Sequence, residues 1–303
     1  MSAETVVPGA STGVRFDLGT ALALRRRRET GRFLLLLSPA LLVMLLFLLV
    51  PLAWIAIQSF IARDGGLGLA NYRLLFSDNA YVTSLWLTLR IAATVTAVSA
   101  VLGYVVAYTM TLMPRWAATL CLAAVALPFW TSTLVRTYAW LVLLQNRGLV
   151  NNLLVDLGVI SERLRMMHNE IGVLIGMTHI MLPFMVFPLY AALRRIDPNQ
   201  TKAALGLGAS PIYAFWRVYL PQSLAGLAGG AVLVFVVSLG FYVTPAILGG
   251  GRTIVMALAI ERDVNLNFNW GPASASGVLF VAAVLGIFAV LGRFVSVERI
   301  FHR

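Results

Sequence analysis

Six long apolar stretches constrain this chain more than any other feature. They lie near 33–61, 83–112, 115–143, 171–193, 223–248 and 273–294, and no Asp, Glu or Lys interrupts them. A helix needs about 20 predominantly apolar residues to cross a bilayer. In hydrocarbon the backbone must satisfy its own hydrogen bonds, so runs of this length read as helices. The expected fold is therefore an all-α membrane protein with six transmembrane helices. With 60% hydrophobic and 12% charged residues, the chain is unsuited to a water-soluble fold. The expected division is an N-terminal arm over 1–32, flexible and cytoplasmic, and one six-helix membrane domain over 33–303. The apolar run after Arg32 is too long for the core of a cleaved signal peptide.

The distribution of charge sets the expected direction. With the N-terminus inside, the inner face holds 14 basic residues, among them Arg25 to Arg28, Arg194, Arg195 and Lys202. The outer loops then hold 7, including Arg63, Arg73 and Arg252, matched by 7 acids. Excess Lys and Arg mark cytoplasmic loops, so both termini are expected on the cytoplasmic side. The net charge of +11 does not point to nucleic acid, because apart from Arg25 to Arg28 the arginines are scattered between apolar runs. The single cysteine, Cys121, excludes an internal disulfide and a cysteine metal cage, and reads as a small packing residue. No metal site is expected.

Away from the span ends, Arg90, Arg136 and His179 are the candidate charged groups within the spans. Buried acids usually mark ion or proton paths, and their lack argues against a proton-driven carrier. Both arginines stand toward the outer ends of their helices, where long side chains reach the interface. Arg136 alternatively lines an outer vestibule. His179 reads either as a packing residue or as a proton relay. Pro39, Pro51, Pro128, Pro183, Pro188 and Pro245 interrupt the spans. Neighbouring helices can satisfy the groups that such prolines free, so they are consistent with kinks around a pathway.

The inner loop 196–222 carries the most local information. Asp197-Pro198 is a helix start, with Asp as N-cap, Pro at the first helical position and Gln200 three residues after the cap. This helix is expected to end near Gly206 or Gly208, since glycine accepts the left-handed conformation that closes helices. Ser210-Pro211 repeats the start signal. The second helix is expected to place Ile212, Phe215, Trp216 and Tyr219 on one face. Two such short helices need a surface to pack on, either their own bundle and the lipid or a partner protein.

The stretches KAALGLGAS and FWRVYLP resemble the cytoplasmic signature loop of the permeases of ATP-binding-cassette (ABC) importers. Ala203-Ala204, Gly208 and Leu220-Pro221 stand at the spacing of that signature, and Lys202 stands where the family usually has Glu. The resemblance implies a coupling loop that docks on an ATPase subunit, with Lys202, Ala203, Ala204, Gly208, Ala209, Ser210, Leu220 and Pro221 as its candidate residues. At Lys202 the charge of that contact is reversed. Residues 127–160, 179–197 and 238–277 resemble permeases of the spermidine/putrescine type.

This likeness implies a bacterial inner-membrane importer subunit. Its partners would be a second homologous permease, two ATPase subunits and a periplasmic binding protein. It carries no cofactor of its own, with ATP bound by the partner subunits. The chain has no Gly-Lys-Ser/Thr phosphate loop, since its one lysine lies between Thr201 and Ala203.

The implied solute is a polyamine, with opines or another small organic solute as the alternative. A polycation favours aromatic faces through cation–π attraction, and the candidate pathway residues are Phe129, Trp130, Arg136, Tyr138, Trp140, Phe241 and Tyr242. Each aromatic also reads as simple packing. The outer loops 144–170 and 249–272 are the expected docking surface for the binding protein. A stand-alone carrier driven by an ion gradient is the rival from another class. An intramembrane enzyme lacks support, because three scattered histidines and one thiol form no catalytic pair.

Overall fold

The computed structural model describes residues 18–62 and 65–294, with side chains over 37–62 and 65–289. Residues 1–17 of the expected arm, Arg63, Asp64, Arg299 and Arg303 lie outside the described residues, as do the side chains of Arg25 to Arg28, Arg32 and Arg293. Among the described residues the regular structure is helical apart from one isolated antiparallel bridge, Ile61 to Leu67.

Contacts divide the chain into two units, 1–54 and 55–303. The described part of the first is helical, the body of α1 (Leu18–Gln58), which contains Pro39 and Pro51. Its segment Leu37–Gln58 is long and apolar enough to span a membrane. The successive residues Leu41, Leu42, Val43 and Met44, which step around the whole helix, are all exposed. A helix apolar all round suits a lipid environment or another apolar helix.

The second unit is built on three spans: α3 (Asn79–Leu112), α7 (Glu170–Leu193) and α10 (Leu220–Leu239). Its other helices are α2 (Ala70–Ser77), α4 (Arg115–Ala126), α5 (Thr133–Leu143), α6 (Leu149–Asp156), α8 (Pro198–Gly206), α9 (Pro211–Ala214), α11 (Val243–Leu248), α12 (Met256–Asn265) and α13 (Trp270–Phe294). Helices α3, α7 and α10 pack most extensively on one another. Their core contains Ile91 and Val95, Met177, Met181 and Met185, and Val234.

Small residues allow this approach. A Cβ placed on Gly103 of α3 would stand 2.6 Å from the Met185 side chain, and one on Gly230 of α10 would stand 2.7 Å from its sulfur. Met185 is therefore held between two glycine faces. Lipid tails are as apolar as the helices, so close packing of this kind drives helix association in a membrane.

Two expected spans are interrupted. The stretch expected as one span over 115–143 is α4, a 3-10 turn over Leu127–Trp130, and then α5, bent by 102° from the preceding segment. Pro128 removes a backbone donor and crowds the preceding turn. The chain is extended at Thr131 and Ser132 before α5 begins. The fifth stretch ends as a straight helix at Leu239, and after Gly240 the short helix α11 follows. The described residues thus hold five long apolar helices, or six when the bent pair counts as one span.

The end of the bundle opposite the α8–α9 loop is closed by polar links. Asn71 Nδ2 donates to the carbonyls of Ser59 (3.0 Å) and Ile61 (2.9 Å). Tyr81 Oη donates to Asp263 Oδ2 at 2.8 Å, and the Met256 amide donates to Thr88 Oγ1 at 2.7 Å. Arg90 pairs with Glu170. Asn151 is fully buried and orders the long loop by bonding the Gln145 and Leu164 carbonyls and the Leu164 amide. The loops 144–170 and 249–272 each hold a short helix, α6 and α12.

Candidate functional site

The α8–α9 loop is organised by the local signals read from the sequence. Asp197 accepts from the Asn199 amide at 2.9 Å, and Ser210 accepts from the Tyr213 amide at 3.2 Å. Helix α8 closes with two nested bonds, Gly208 amide to Leu205 carbonyl (3.0 Å) and Ala209 amide to Ala204 carbonyl (3.1 Å). This is the Schellman arrangement, which needs a left-handed residue just past the helix. Gly208 supplies it with φ +89°. No atom lies within 4 Å of a Cβ placed there. What the position requires is backbone conformation.

The expected single aromatic face is split. After α9, residues Phe215–Tyr219 form a π-helical segment, with the Leu220 amide bonding the Phe215 carbonyl. The wider turn takes the four side chains out of one register. Phe215 and Tyr219 turn inward onto α3, with ring centroids 5.5 and 5.3 Å from Tyr108. Tyr104 joins them edge-on, 6.2 Å from Phe215, and its hydroxyl bonds Ser223 Oγ at 3.0 Å. Ile212 and Trp216 point outward, 73% and 62% exposed. Leu207, beside the Gly208 break, is 90% exposed.

Of the candidate loop residues, Lys202, Ala203, Ala204, Gly208, Ala209 and Ser210 lie together on α8 and its exit, whereas Leu220 and Pro221 open α10 beyond the π segment. The loop is thus anchored on one side and presents apolar groups on the other. It can carry a displacement from an outside contact into α3 and α10.

The candidate pathway residues converge only in part. Phe129, Arg136 and Phe241 line one small cavity of about 90 Å³ with Thr133, Ile180 and Phe184. Phe129 lies 4.9 Å from the Phe184 ring. Arg136 Nη2 donates to Thr133 Oγ1 at 3.3 Å, while its buried Nε has no partner among the described residues. Trp140 lies apart and donates from Nε1 to His179 Nδ1 at 3.2 Å, which gives that histidine a packing partner. Trp130, Tyr138 and Tyr242 are exposed and do not line this cavity. Thr133, Ile180 and Phe184 were not expected there. They lie on two different helices, and no local pattern marks them.

The described residues form a helical bundle with a broken span, a polar-linked end and a two-helix loop anchored on α3, the form of a multi-pass membrane component. Residues 18–300 match the family described as the binding-protein-dependent transport system inner membrane component. The spermidine/putrescine transport system permease protein PotB of Haemophilus influenzae is 32% identical over 250 residues, covering 80% of this chain and 87% of that protein. PotB of Escherichia coli is also 32% identical, covering 80% and 90%. The putative 2-aminoethylphosphonate transport system permease protein PhnU of Salmonella typhimurium is 26% identical, covering 84% and 89%. A bacterial ABC transporter that imports the acidic polysaccharide alginate shares the fold, with TM-score 0.70 at 19% identity over 93% of this chain and 100% of that one.

The chain belongs to the binding-protein-dependent transport system inner membrane component family: it is a multi-pass permease subunit of a bacterial ABC importer. The stand-alone ion-gradient carrier is thereby set aside.

Proposed function

We propose that this chain forms half of the translocation pathway of a polyamine importer. A second permease forms the other half, two ATPase subunits bind and hydrolyse ATP, and a periplasmic protein delivers the solute. The N-terminal arm and the α8–α9 loop face the cytoplasm, in keeping with the excess of basic residues on that side. The loops 144–170 and 249–272 receive the binding protein at the other end. Kinship with the PotB proteins supports the solute class. The single observation that carries the mechanism is the two-sided loop, fixed inward by Phe215 and Tyr219 and apolar outward at Leu207, Ile212 and Trp216. When the ATPase pair closes on ATP, the loop moves as a lever and biases a two-state bundle.

A second solute reading follows from Arg136. Its buried Nε, unpartnered in an aromatic cavity, suits a solute that also carries a carboxylate or phosphonate, such as an opine. Uptake of labelled spermidine and putrescine in a strain deleted for this chain decides between them. Restored polyamine uptake with the wild-type chain supports the first reading. Restored opine uptake without polyamine uptake overturns it and keeps the importer.

A further inference from the structure

A cleft of about 600 Å³ opens at the loop end, between the α3–α4 turn, the end of α7 and α8. Its walls carry Arg115, Arg194 and Lys202 and no carboxylate. Among the described residues none of these three forms a salt bridge, although Arg194 lies over the Tyr190 ring at 5.9 Å. Like charges gathered without a counter-ion repel one another, and an anion in the cleft relieves that repulsion.

Two further features point the same way. Thr201 lines the cleft, and its buried hydroxyl has no hydrogen-bond partner among the described residues. Helix α4 starts at Arg115 after Pro114 with no side-chain cap, leaving first-turn amides available where an anion is favoured. Leu112 lines the cleft and is 70% exposed, and α4, which lines it with Arg115, Ala118 and Thr119, also exposes Trp116 and Leu120 at 69% and 61%, one turn apart. Tryptophan at a membrane edge marks headgroup depth. A basic pocket flanked by such a surface fits a phosphate headgroup with its acyl chains alongside, as basic pockets between spanning helices do.

We infer that this cleft binds an anionic phospholipid, with the phosphate held by Arg115, Arg194 and Thr201 and the chains lying on Leu112, Trp116 and Leu120. The site is separate from the solute cavity and does not depend on which solute is carried. It lies beside Lys202 on α8, so an occupied cleft bears directly on the loop proposed to meet the ATPase.

The test is native mass spectrometry of the full chain in mild detergent, titrated with phosphatidylglycerol and with phosphatidylcholine. Wild type should retain phosphatidylglycerol in clear excess. Arg115→Gln and Arg194→Gln should each weaken retention about fivefold, the effect of one basic residue near a membrane surface, while Arg252→Gln, outside the cleft, should leave it unchanged. Equal retention of the two lipids overturns the proposal, and so does unchanged retention in the two cleft variants. Displacement by millimolar inorganic phosphate assigns the cleft to a free anion and overturns the lipid. Should the variants fail to purify, the headgroup comparison on wild type decides alone.

Discussion

At the scale of single residues, Gly208 and Arg136 carry the sharpest expectations. Gly208 holds φ +89° in open space. An alanine there costs about 1 kcal/mol in backbone strain and meets nothing inside the chain. Gly208→Ala is therefore expected to insert and melt nearly as wild type, with uptake reduced. Membrane abundance and initial uptake rate, measured together, check this. A large loss of abundance would show that the glycine serves folding. Arg136→Gln removes the charge from the aromatic cavity while keeping a polar side chain near Thr133. For a polycationic solute the expected outcome is an unchanged or lower half-saturation concentration. For a solute bearing a carboxylate, the expected outcome is a rise of about tenfold or more, the loss of one charge-assisted hydrogen bond. The Arg90–Glu170 pair is half exposed, with side chains 53% and 33% accessible. Exposed pairs contribute about 0–1 kcal/mol, so Arg90→Gln should shift the melting temperature little.

At the scale of elements, the α3–α7–α10 junction depends on Met185 fitting between Gly103 and Gly230. Gly230→Leu places a side chain where the Met185 sulfur stands, and overpacking of this kind costs about 1–3 kcal/mol. Met185→Ala should restore part of the loss in the double variant, because the two changes share one space. Thermal unfolding in detergent of both single variants and the double checks this, and additive losses would contradict the packing account. Elements also mark how far the sequence could be read. The caps Asp197 and Ser210 and the stop at Gly208 were legible because each rests on a few adjacent residues. The split of Ile212 and Trp216 from Phe215 and Tyr219 was not. It follows from a π segment whose stability comes from Tyr104 and Tyr108, roughly a hundred residues earlier in the chain. The break at 131–132 was signalled by Pro128, yet hydropathy alone continues through it.

At the scale of the whole molecule, the spans were legible because hydrocarbon admits few alternatives to the helix. The cavity of Phe129, Arg136 and Phe241 was not, since it gathers side chains more than a hundred residues apart. On the proposed function, movement of the anchored loop, driven by ATP on another subunit, reorients the bundle. Proteoliposomes holding the assembled importer, with ATP inside and labelled solute plus binding protein outside, test it most directly. The comparison is wild type against Gly208→Asp, which adds both backbone strain and a charge at the exposed break. The expected result is ATP-dependent uptake by wild type that survives collapse of ion gradients, and uptake near background for the variant at equal permease content. Normal uptake by Gly208→Asp, or wild-type uptake that needs a gradient and not ATP, would contradict it.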